Sequence, residues 1–326
     1  MAARNKYVNK LHGKHIVIFG GTSGVGFCVA EASIEHGANV TVLSSDPSKV
    51  DAAQVRLLSS YPEAKDRVRG LTIDLGAPDV EDQLVSTFEQ VQPFDHIIFT
   101  AGTFEFDSED WIQPRADLDR IRNTANVRII APFLIAKHAP RYMASNSPAC
   151  SITLTSGATA ERPMGRGMAM HTMYSTGLYG LTKNLCLDIA PVRVNLVSPG
   201  PIDTELWDTI PEKEAMFAHL KEKLPIKEIP TPENVAEAYI YCMKDRGLTG
   251  AIISTHGDFF LDGDRDGAGE RDEEDGDEVE VEMLRAGGSA SKERGPMRGL
   301  GTCDGFSLVT RLCAYELKTS GVEKGG

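Results

Sequence analysis

"FGGTSGVG" (19–26) is the stretch that decides the fold. It follows the β-branched run "HIVIF" (15–19) and opens an apolar helical pattern, so its three spaced glycines lie in a tight turn from a strand into a helix. Glycine lets the backbone approach a phosphate group closely, and the first turn of the helix offers free N–H groups and a positive dipole end. The stretch therefore predicts a phosphate-binding turn. The alternative is a turn with only a structural role.

The alternation of strand and helix continues along most of the chain. Short apolar runs separated by helical patterns, one of them the long pattern 118–143, indicate a parallel sheet that is buried on both faces. We expect a single α/β domain of Rossmann type, a doubly wound parallel sheet with helices on both faces and ligands beyond the carboxyl ends of the strands. The predicted strands are 15–19, 39–44, 68–75, 94–102, 150–157, 191–200 and 250–255.

The end of the chain differs from this domain in composition. We expect an N-terminal extension over 1–13, the α/β domain over 14–261 and an acidic tail over 262–326. The tail has 16 acidic and nine basic residues and begins rich in glycine and acid, so we expect it to be disordered. A regulatory or solubilising extension and an artefact of gene prediction are both open explanations for it.

Composition excludes several classes of function. The formal net charge of −13 argues against nucleic acid as a partner, and no apolar run approaches the ~20 residues that would cross a membrane. The six cysteines form no C-x-x-C pair and no cluster with histidine at zinc spacing, so no metal is expected. The basic start of the chain lacks the apolar stretch of a signal peptide, and we expect a cytoplasmic protein that binds a small molecule.

Four stretches together resemble the short-chain dehydrogenases/reductases. "GGTSGVG" is similar to the family's T-G-x-x-x-G-x-G with Phe19 in place of Thr, and "IDL" (73–75) to its adenine-contacting segment. "TAG" (100–102) resembles the end of N-N-A-G, and "RVNLVSPGPIDTEL" (193–206) the segment beside the nicotinamide. The resemblance implies a nicotinamide cofactor bound by Gly20, Thr22, Ser23, Gly24, Val25, Gly26, Ser44, Ser45, Asp74, Leu75, Ala101, Gly102, Pro199, Gly200, Ile202 and Thr204.

The end of the second strand bears on which cofactor binds. An acidic residue at position 44 would bind the ribose 2′-hydroxyl of NAD. Ser44 and Ser45, with Lys49 nearby, are able to accept a 2′-phosphate instead, so we expect NADP(H) to be favoured over NAD(H). The alternative is that both serines only begin the next helix.

"HTMYSTGLYGLTK" (171–183) contains the family's catalytic Tyr-x-x-x-Lys pattern, as Tyr179 and Lys183. In the family, that Lys lies roughly twenty residues before the Asn that corresponds to Asn195. The count places the Lys at Ser175 and the Tyr at His171. Tyr179 would then lie eight residues further along the helix, about 12 Å at ~1.5 Å per residue. We therefore interpret Tyr179 and Lys183 as a coincidental match.

The same alignment gives a non-standard set of catalytic candidates. The family's active-site Asn falls at Arg128, its Ser at Ser156 or Gly157, and Tyr174 is a substitute proton donor on the helix of His171. Each has a plainer alternative: a carboxylate partner for Arg128, a ligand contact for Ser156, an exposed helix start for His171 and a core position for Tyr174. A divergent, fungal branch of the family looks like this, and some of its members resemble reductases of iminium substrates.

This chemistry explains how such a site would work without the usual pair. Reduction of a ketone leaves an alkoxide that needs a proton donor, whereas reduction of an iminium leaves a neutral amine. We expect an atypical NADP-dependent reductase of a small apolar secondary-metabolite intermediate, with substrate walls at Phe104, Trp111 and Trp207. A cyclase or isomerase on the same scaffold and a catalytically silent nucleotide-binding regulator are the alternatives. The resemblance also implies a homodimer or homotetramer through the helices around 117–144 and 170–189.

Overall fold

The computed structural model describes residues 5–102, 118–162, 168–208 and 213–257 of the 326-residue chain. The predicted acidic tail, 262–326, and its boundary with the α/β domain lie outside these described residues. No described helix is both long and apolar enough to cross a membrane.

Seven strands form one sheet in the order β3-β2-β1-β4-β5-β6-β7, and every neighbouring pair is parallel. The strand order reverses between β1 and β4, which opens a crevice at the carboxyl end of the sheet. The predicted doubly wound α/β fold is confirmed. The strands are β1 His15–Phe19, β2 Asn39–Ser44, β3 Val68–Thr72, β4 His96–Phe99, β5 Ser151–Thr155, β6 Arg193–Pro199 and β7 Ile252–Thr255.

Helices cover both faces of the sheet, and the side chains of β1 pack into the apolar core on each face. Ile16 and Ile18 belong to the apolar core under α1, α2 and α8, whereas Val17 and Phe19 belong to the core under α3, α5 and α6. Successive side chains of a strand point to opposite faces, so a continuous apolar run is what a doubly covered sheet requires. The helices are α1 Gly24–Glu35, α2 Pro47–Ser60, α3 Val80–Val91, α4 Leu118–Ala125, α5 Ala131–His138, α6 Ala169–Asp188, α7 Lys213–Lys223 and α8 Pro232–Lys244.

The long helix predicted over 118–143 is interrupted. A π-helical turn over Asn126–Ile130 separates α4 from α5, and the N–H of Ala131 bonds to the carbonyl of Asn126, five residues back. Pro132 has no N–H to donate to the carbonyl of Arg128 four residues earlier, so the α-helical pattern cannot continue there. Single π turns inside helices occur frequently at functional sites.

Several predicted strands end earlier than expected. The runs predicted to reach 75, 102 and 157 stop at Thr72, Phe99 and Thr155, because the remaining residues of each run form loops beyond the sheet. These loops lie at the carboxyl ends of β3, β4 and β5. The positions wrongly assigned to strands are therefore those nearest to a ligand in this fold.

Candidate active site

A cleft of about 770 Å³ opens at the carboxyl ends of the strands. Its wall includes all sixteen residues that the sequence predicts to bind the cofactor, from the glycine-rich turn, the ends of β2, β3 and β4, and the segment after β6. Five different chain segments thus meet at one edge of the sheet. Their shared position supports the predicted binding roles, which remain predictions for the individual residues.

The glycine-rich turn fits closely against the end of β4. A Cβ atom on Gly20, which has φ of +84°, would lie 2.6 Å from the backbone nitrogen of Ala101. On Gly26 it would lie 2.3 Å from the carbonyl oxygen of Gly20 and 2.4 Å from Oγ1 of Thr100. The hydroxyl of Thr100, which stands where the family has Asn, donates to the carbonyl of Phe19 at 3.1 Å. Only glycine fits these positions, and the backbone they expose at the start of α1 suits a dinucleotide diphosphate.

The end of β2 contributes hydroxyls and cations rather than a carboxylate. Ser44, Ser45 and Lys49 line the cleft, and Asp46 is not among the described lining residues. Asp46 is the N-cap of α2, where its carboxylate accepts the backbone N–H of Ser48 at 2.9 Å. The nearest acidic side chain in sequence is therefore already used by a helix, which agrees with the predicted preference for a 2′-phosphate.

Arg56 is a lining residue that sequence reasoning missed. Its guanidinium lies 4.0 Å from the centre of the Phe27 ring. Arg56 follows Lys49 at a spacing of seven along α2, and Ala52 and Ala53 between them also line the cleft. Residues at i, i+3, i+4 and i+7 share one face of a helix, so the helical period starting at Lys49 would have found Arg56.

Arg128 enters the cleft from the π turn between α4 and α5. A Cβ atom on Gly102 would lie only 2.3 Å from Cζ of Arg128, so the guanidinium packs directly against that glycine. Burial lowers the pKa of the Arg128 guanidinium from its usual range. An arginine stays protonated despite such a shift, because its usual pKa is above 12. The site therefore holds a partly desolvated positive charge against the loop after β4.

The end of β5 and the start of α6 form the opposite wall. His171 and Ser175 line the cleft one helical turn apart, and Ser156 and Thr159 lie beside them. Oγ of Ser156 donates to the carbonyl of Ser175 at 2.9 Å, and Oγ1 of Thr159 donates to Oγ of Ser175 at 3.1 Å. The helix thus presents to the cleft the His and the Ser that the count back from Asn195 predicts at the positions of the family's Tyr and Lys.

Tyr174 does not line the cleft with the other described candidates. Its side chain is buried, and its hydroxyl donates to the carbonyl of Ile121 on α4 at 2.8 Å. Burial raises the pKa of this hydroxyl. The idea that Tyr174 replaces the missing proton donor is therefore not supported: the i+3 position turns its side chain toward α4, and the core alternative fits the contacts.

Tyr179 and Lys183 also lie away from the described wall of the cleft. The Tyr179 hydroxyl lies 2.7 Å from Oε1 of Glu161 and 2.8 Å from Oγ of Ser198, and burial raises the pKa of Tyr179. Nζ of Lys183 donates to the carbonyl of Gly250 at 2.7 Å. Both side chains join α6 to neighbouring segments, as expected for a coincidental match to the catalytic pattern.

The substrate end of the cleft is described in part. Trp207 lines it and packs edge-on to Phe217 of α7, with 5.8 Å between ring centres. The other predicted wall residues, Phe104 and Trp111, lie outside the described residues. Among the described residues, no group of three or more His, Cys, Asp or Glu side chains is placed to hold a metal ion.

Comparison with known proteins agrees with the fold and the cleft. Residues 7–262 match the family model of the SDR-like Rossmann domain, where SDR denotes short-chain dehydrogenases/reductases. The chain belongs to this family and is an oxidoreductase of SDR type. The cofactor bound by this fold is a nicotinamide dinucleotide.

Fungal proteins are among its relatives. The chain is 35% identical over 271 residues to short-chain dehydrogenase/reductase fsr5 of Gibberella fujikuroi, an alignment that covers 80% of this chain and 100% of that protein. It is 38% identical over 271 residues to short-chain dehydrogenase/reductase ucsE of an Acremonium species, with 79% and 98% covered. A solved structure, described as MalC reductase/Diels-Alderase from Malbranchea aurantiaca, matches with a TM-score of 0.71 at 34% identity, over 78% of this chain and 100% of that one.

Proposed function

We propose that the protein is an NADP(H)-dependent reductase that transfers hydride to a C=N or C=O bond of a small apolar intermediate in fungal secondary metabolism. Membership of the SDR family supports the reaction class, and the similarity to fungal members supports the setting. Trp207, Met168 and Leu206 on the wall support an apolar substrate.

The cofactor would lie along the carboxyl ends of the strands. The glycine-rich turn and the N-terminus of α1 would hold its diphosphate. Ser44, Ser45 and Lys49 would hold the 2′-phosphate, with the guanidinium of Arg56 as a further cation on the same wall. When bound, NADPH supplies the hydride; the residues of this chain supply its position and the charges around the acceptor.

One observation carries the choice of reaction: α6 presents His171 and Ser175 to the cleft, and no tyrosine is among the described lining residues. A phenol paired with an ammonium group is what ketone reduction needs from the usual site. Reduction of an iminium ion needs no proton donor at the acceptor carbon, since the product is a neutral amine. A C=N bond is therefore the substrate that this wall suits best.

The candidate catalytic residues have distinct roles in this proposal. Arg128 would bind an anionic or carbonyl group of the substrate and stabilise negative charge there, because its guanidinium is partly desolvated against Gly102. His171 would exchange a proton with a basic substrate. Ser156, at the end of β5, would contact the bound substrate or cofactor.

Oxidation of NADPH by a panel of cyclic imines and matched ketones tests this proposal. We expect turnover with imines and little with ketones, measured as loss of NADPH absorbance with analysis of the amine products. Equal or faster reduction of the ketones would contradict it. NADPH binding without turnover of any substrate would favour the silent regulator.

The cofactor preference has a test of its own. Calorimetric titration should show tighter binding of NADP(H) than of NAD(H), and Ser44→Asp should reverse the preference, because a carboxylate repels the 2′-phosphate and binds the 2′-hydroxyl. We expect a change of at least about tenfold in the ratio of the two Kd values, equal to ~1.4 kcal/mol. Ser59→Asp, at an exposed position of α2 outside the cleft wall, is the matched control. Equal affinities in the wild type would remove the argument from Ser44.

A cyclisation catalyst is the second candidate. It is favoured by the 34% identity to a structure described as a reductase/Diels-Alderase. Product analysis with and without NADPH separates the two functions, since cyclisation of a prereduced substrate needs no hydride. Stereoselective product formed without any reduction would favour this candidate.

Self-association is a further part of the proposal. Exposed apolar side chains lie on the two helices through which members of the family pair, including Phe133 of α5 and Met173 and Leu187 of α6. We expect a homodimer or homotetramer. Light scattering behind size exclusion chromatography should detect it, and Phe133→Lys should shift it toward the monomer.

A further inference from the structure

A carboxylate from the far side of the cleft contacts the start of α1. Oε2 of Glu205 accepts the backbone N–H of Gly24 at 3.1 Å, although the two residues are 181 positions apart. Glu205 begins a short 3-10 turn, Glu205–Trp207, directly after the predicted cofactor residue Thr204. Both Glu205 and Gly24 line the cleft.

The contact satisfies a need of α1. The first N–H groups of a helix have no partner within it, and a carboxylate there is stabilised by the helix dipole. The N-cap residue Ser23 makes no side-chain hydrogen bond to this helix. Glu205 therefore acts as the cap of α1 in this structure.

In the proposed function, the diphosphate of the cofactor binds at this same start of α1, so this inference rests on that function. A carboxylate and a diphosphate are both anionic, and they compete for the same dipole end. The diphosphate of a cofactor bound at the turn would be repelled by the carboxylate of Glu205, because both groups are negatively charged. Loss of the Gly24 contact would relieve this repulsion.

We propose that Glu205 sets the affinity for the cofactor by occupying the start of α1 until the diphosphate displaces it. A second pocket of about 410 Å³ lies directly beside this contact and is able to receive the displaced side chain. Its wall carries two cations, Arg56 and Lys213, and several acidic residues. Two of these acidic residues, Asp203 and Asp208, pair with Nζ of Lys213 at 2.9 Å and 2.8 Å respectively. Of these two cations, Arg56 also lines the cleft.

Displacement of Glu205 would reach the substrate end of the cleft. Trp207 is in the same 3-10 turn and lines the cleft, two residues from the contact with Gly24. Release of that contact would remove one restraint on the turn, which is also held by the packing of Trp207 on Phe217. Cofactor binding would therefore change the exposure of Trp207 at the substrate wall.

Titration of NADP⁺ and NADPH into the wild type, Glu205→Gln and Glu205→Ala tests the proposal. Glu205 is exposed, so solvent screens its charge. We expect both variants to bind the dinucleotides about three- to tenfold more tightly than the wild type. Glu31→Gln, which removes another carboxylate from the second pocket, is the control and should change Kd less than twofold.

The outcomes separate this inference from the function on which it rests. Unchanged or weaker binding in the Glu205 variants, with normal wild-type binding, would mean that Glu205 stays on Gly24 beside the cofactor, and would overturn the inference alone. Equal tightening in Glu31→Gln would reduce the effect to net charge and would also overturn it. A wild type that binds neither dinucleotide would overturn the proposed function and the inference together.

A second readout follows the turn itself. In a Trp111→Phe background Trp207 is the only tryptophan, because the chain has two. Addition of NADP⁺, which does not absorb tryptophan emission, should increase quenching of Trp207 by acrylamide. In Glu205→Ala the quenching should already be high without cofactor. Quenching of Trp207 that is the same in all four states would contradict release of the turn.

Discussion

Polar side chains are buried at the amino end of the sheet and line an open cleft at its carboxyl end. At the amino end, His96, Ser151 and Arg193 are the first residues of β4, β5 and β6 and pair in register as one row, the amino-end row. All three are buried, and Nδ1 of His96 lies 2.8 Å from Oγ of Ser151. At the carboxyl end of the same strands, Gly102, Ser156 and their neighbours line an open cleft.

A cluster of polar residue types therefore does not by itself mark a functional site. The amino-end row contains a His-Ser pair beside an acidic residue, Asp95, yet neither the cleft nor the second pocket includes it. Its three side chains make hydrogen bonds within the protein, which contributes to stability. The cleft contains similar residue types with surfaces left for a ligand. Each of the following predictions tests this division.

The largest effect should come from Arg193 in the amino-end row. Its guanidinium donates to the carbonyls of Pro148, Cys242, Met243 and Leu248, at distances from 2.7 to 3.1 Å. Arg193→Met leaves these acceptors without their donor, and we expect a loss of about 3–4 kcal/mol in the free energy of unfolding. Urea denaturation would measure it, and NADPH affinity of the folded fraction should be unchanged.

Lys10→Met is the matched control for Arg193. Nζ of Lys10 donates to the carbonyl of Lys244 at 3.2 Å, also at the end of α8, but it is exposed. We expect Lys10→Met to lower the free energy of unfolding by less than about 0.5 kcal/mol. A similar loss in both variants, or a large loss of cofactor affinity in Arg193→Met, would break the division between the two ends.

The next effect should come from Gly102 at the carboxyl end. Gly102→Ala would push the guanidinium of Arg128 away, because the new Cβ would lie 2.3 Å from its Cζ. A displacement of about 1 Å at a reacting centre costs about 10²-fold, so we expect kcat to fall by that factor with the free energy of unfolding nearly unchanged. Steady-state kinetics beside urea denaturation would check both values.

Gly180→Ala controls for the change from glycine to alanine. A Cβ on Gly180 of α6 would meet no atom within 4 Å, so activity should be unchanged and stability should rise by about 0.5–1 kcal/mol. An active Gly102→Ala enzyme would show that the position of Arg128 does not matter for the reaction.

Acid should lower the free energy of unfolding through His96 of the amino-end row. Burial lowers the pKa of His96 well below its usual value of 6.5. The unfolded chain then binds the proton more readily than the folded chain, so this contribution to stability is complete above about pH 6.5 and is lost as the pH falls below it, by about 1.4 kcal/mol per pH unit.

His96→Asn should flatten this dependence. The free energy of unfolding, measured in urea between pH 5 and pH 7.5, should fall less steeply with acid in the variant than in the wild type. Equal slopes would show that His96 takes up its proton while folded, and that the amino-end row is more open than its burial indicates.

Much of the fold and part of the cleft follow from sequence for identifiable reasons. Strands buried on both faces must be short continuous apolar runs, and the glycine-rich turn fixes where the first of them ends. Counting back from Asn195 by the spacing that the family resemblance implies placed His171 and Ser175 at the cleft, where both are lining residues one turn apart on α6.

Other features depend on contacts between distant segments. Pro132 signals a break in the helix, but the sequence does not say that a π turn would bring Arg128 against Gly102. The sequence also does not show that the hydroxyl of Tyr174 donates to the carbonyl of Ile121, since the direction of this side chain is set by packing against α4. The contact of Glu205 with Gly24 joins residues 181 positions apart and has no local pattern.

The smallest effect belongs to the pattern that most resembles a catalytic dyad. Tyr179 contacts Glu161 and Ser198 outside the described cleft wall, so Tyr179→Phe should slow the reaction less than about tenfold, or ~1.4 kcal/mol of barrier. Arg128→Ala should slow it at least about 10²-fold, because it removes the positive charge beside the proposed acceptor.

The most direct test compares these two variants in one measurement, the single-turnover rate of NADPH oxidation by stopped-flow absorbance with the fastest imine of the panel. We predict a rate for Tyr179→Phe within tenfold of the wild type and a rate for Arg128→Ala lower by at least about 10²-fold. A loss of about 10²-fold or more in Tyr179→Phe, with a wild-type rate in Arg128→Ala, would contradict it and restore the usual Tyr-Lys mechanism.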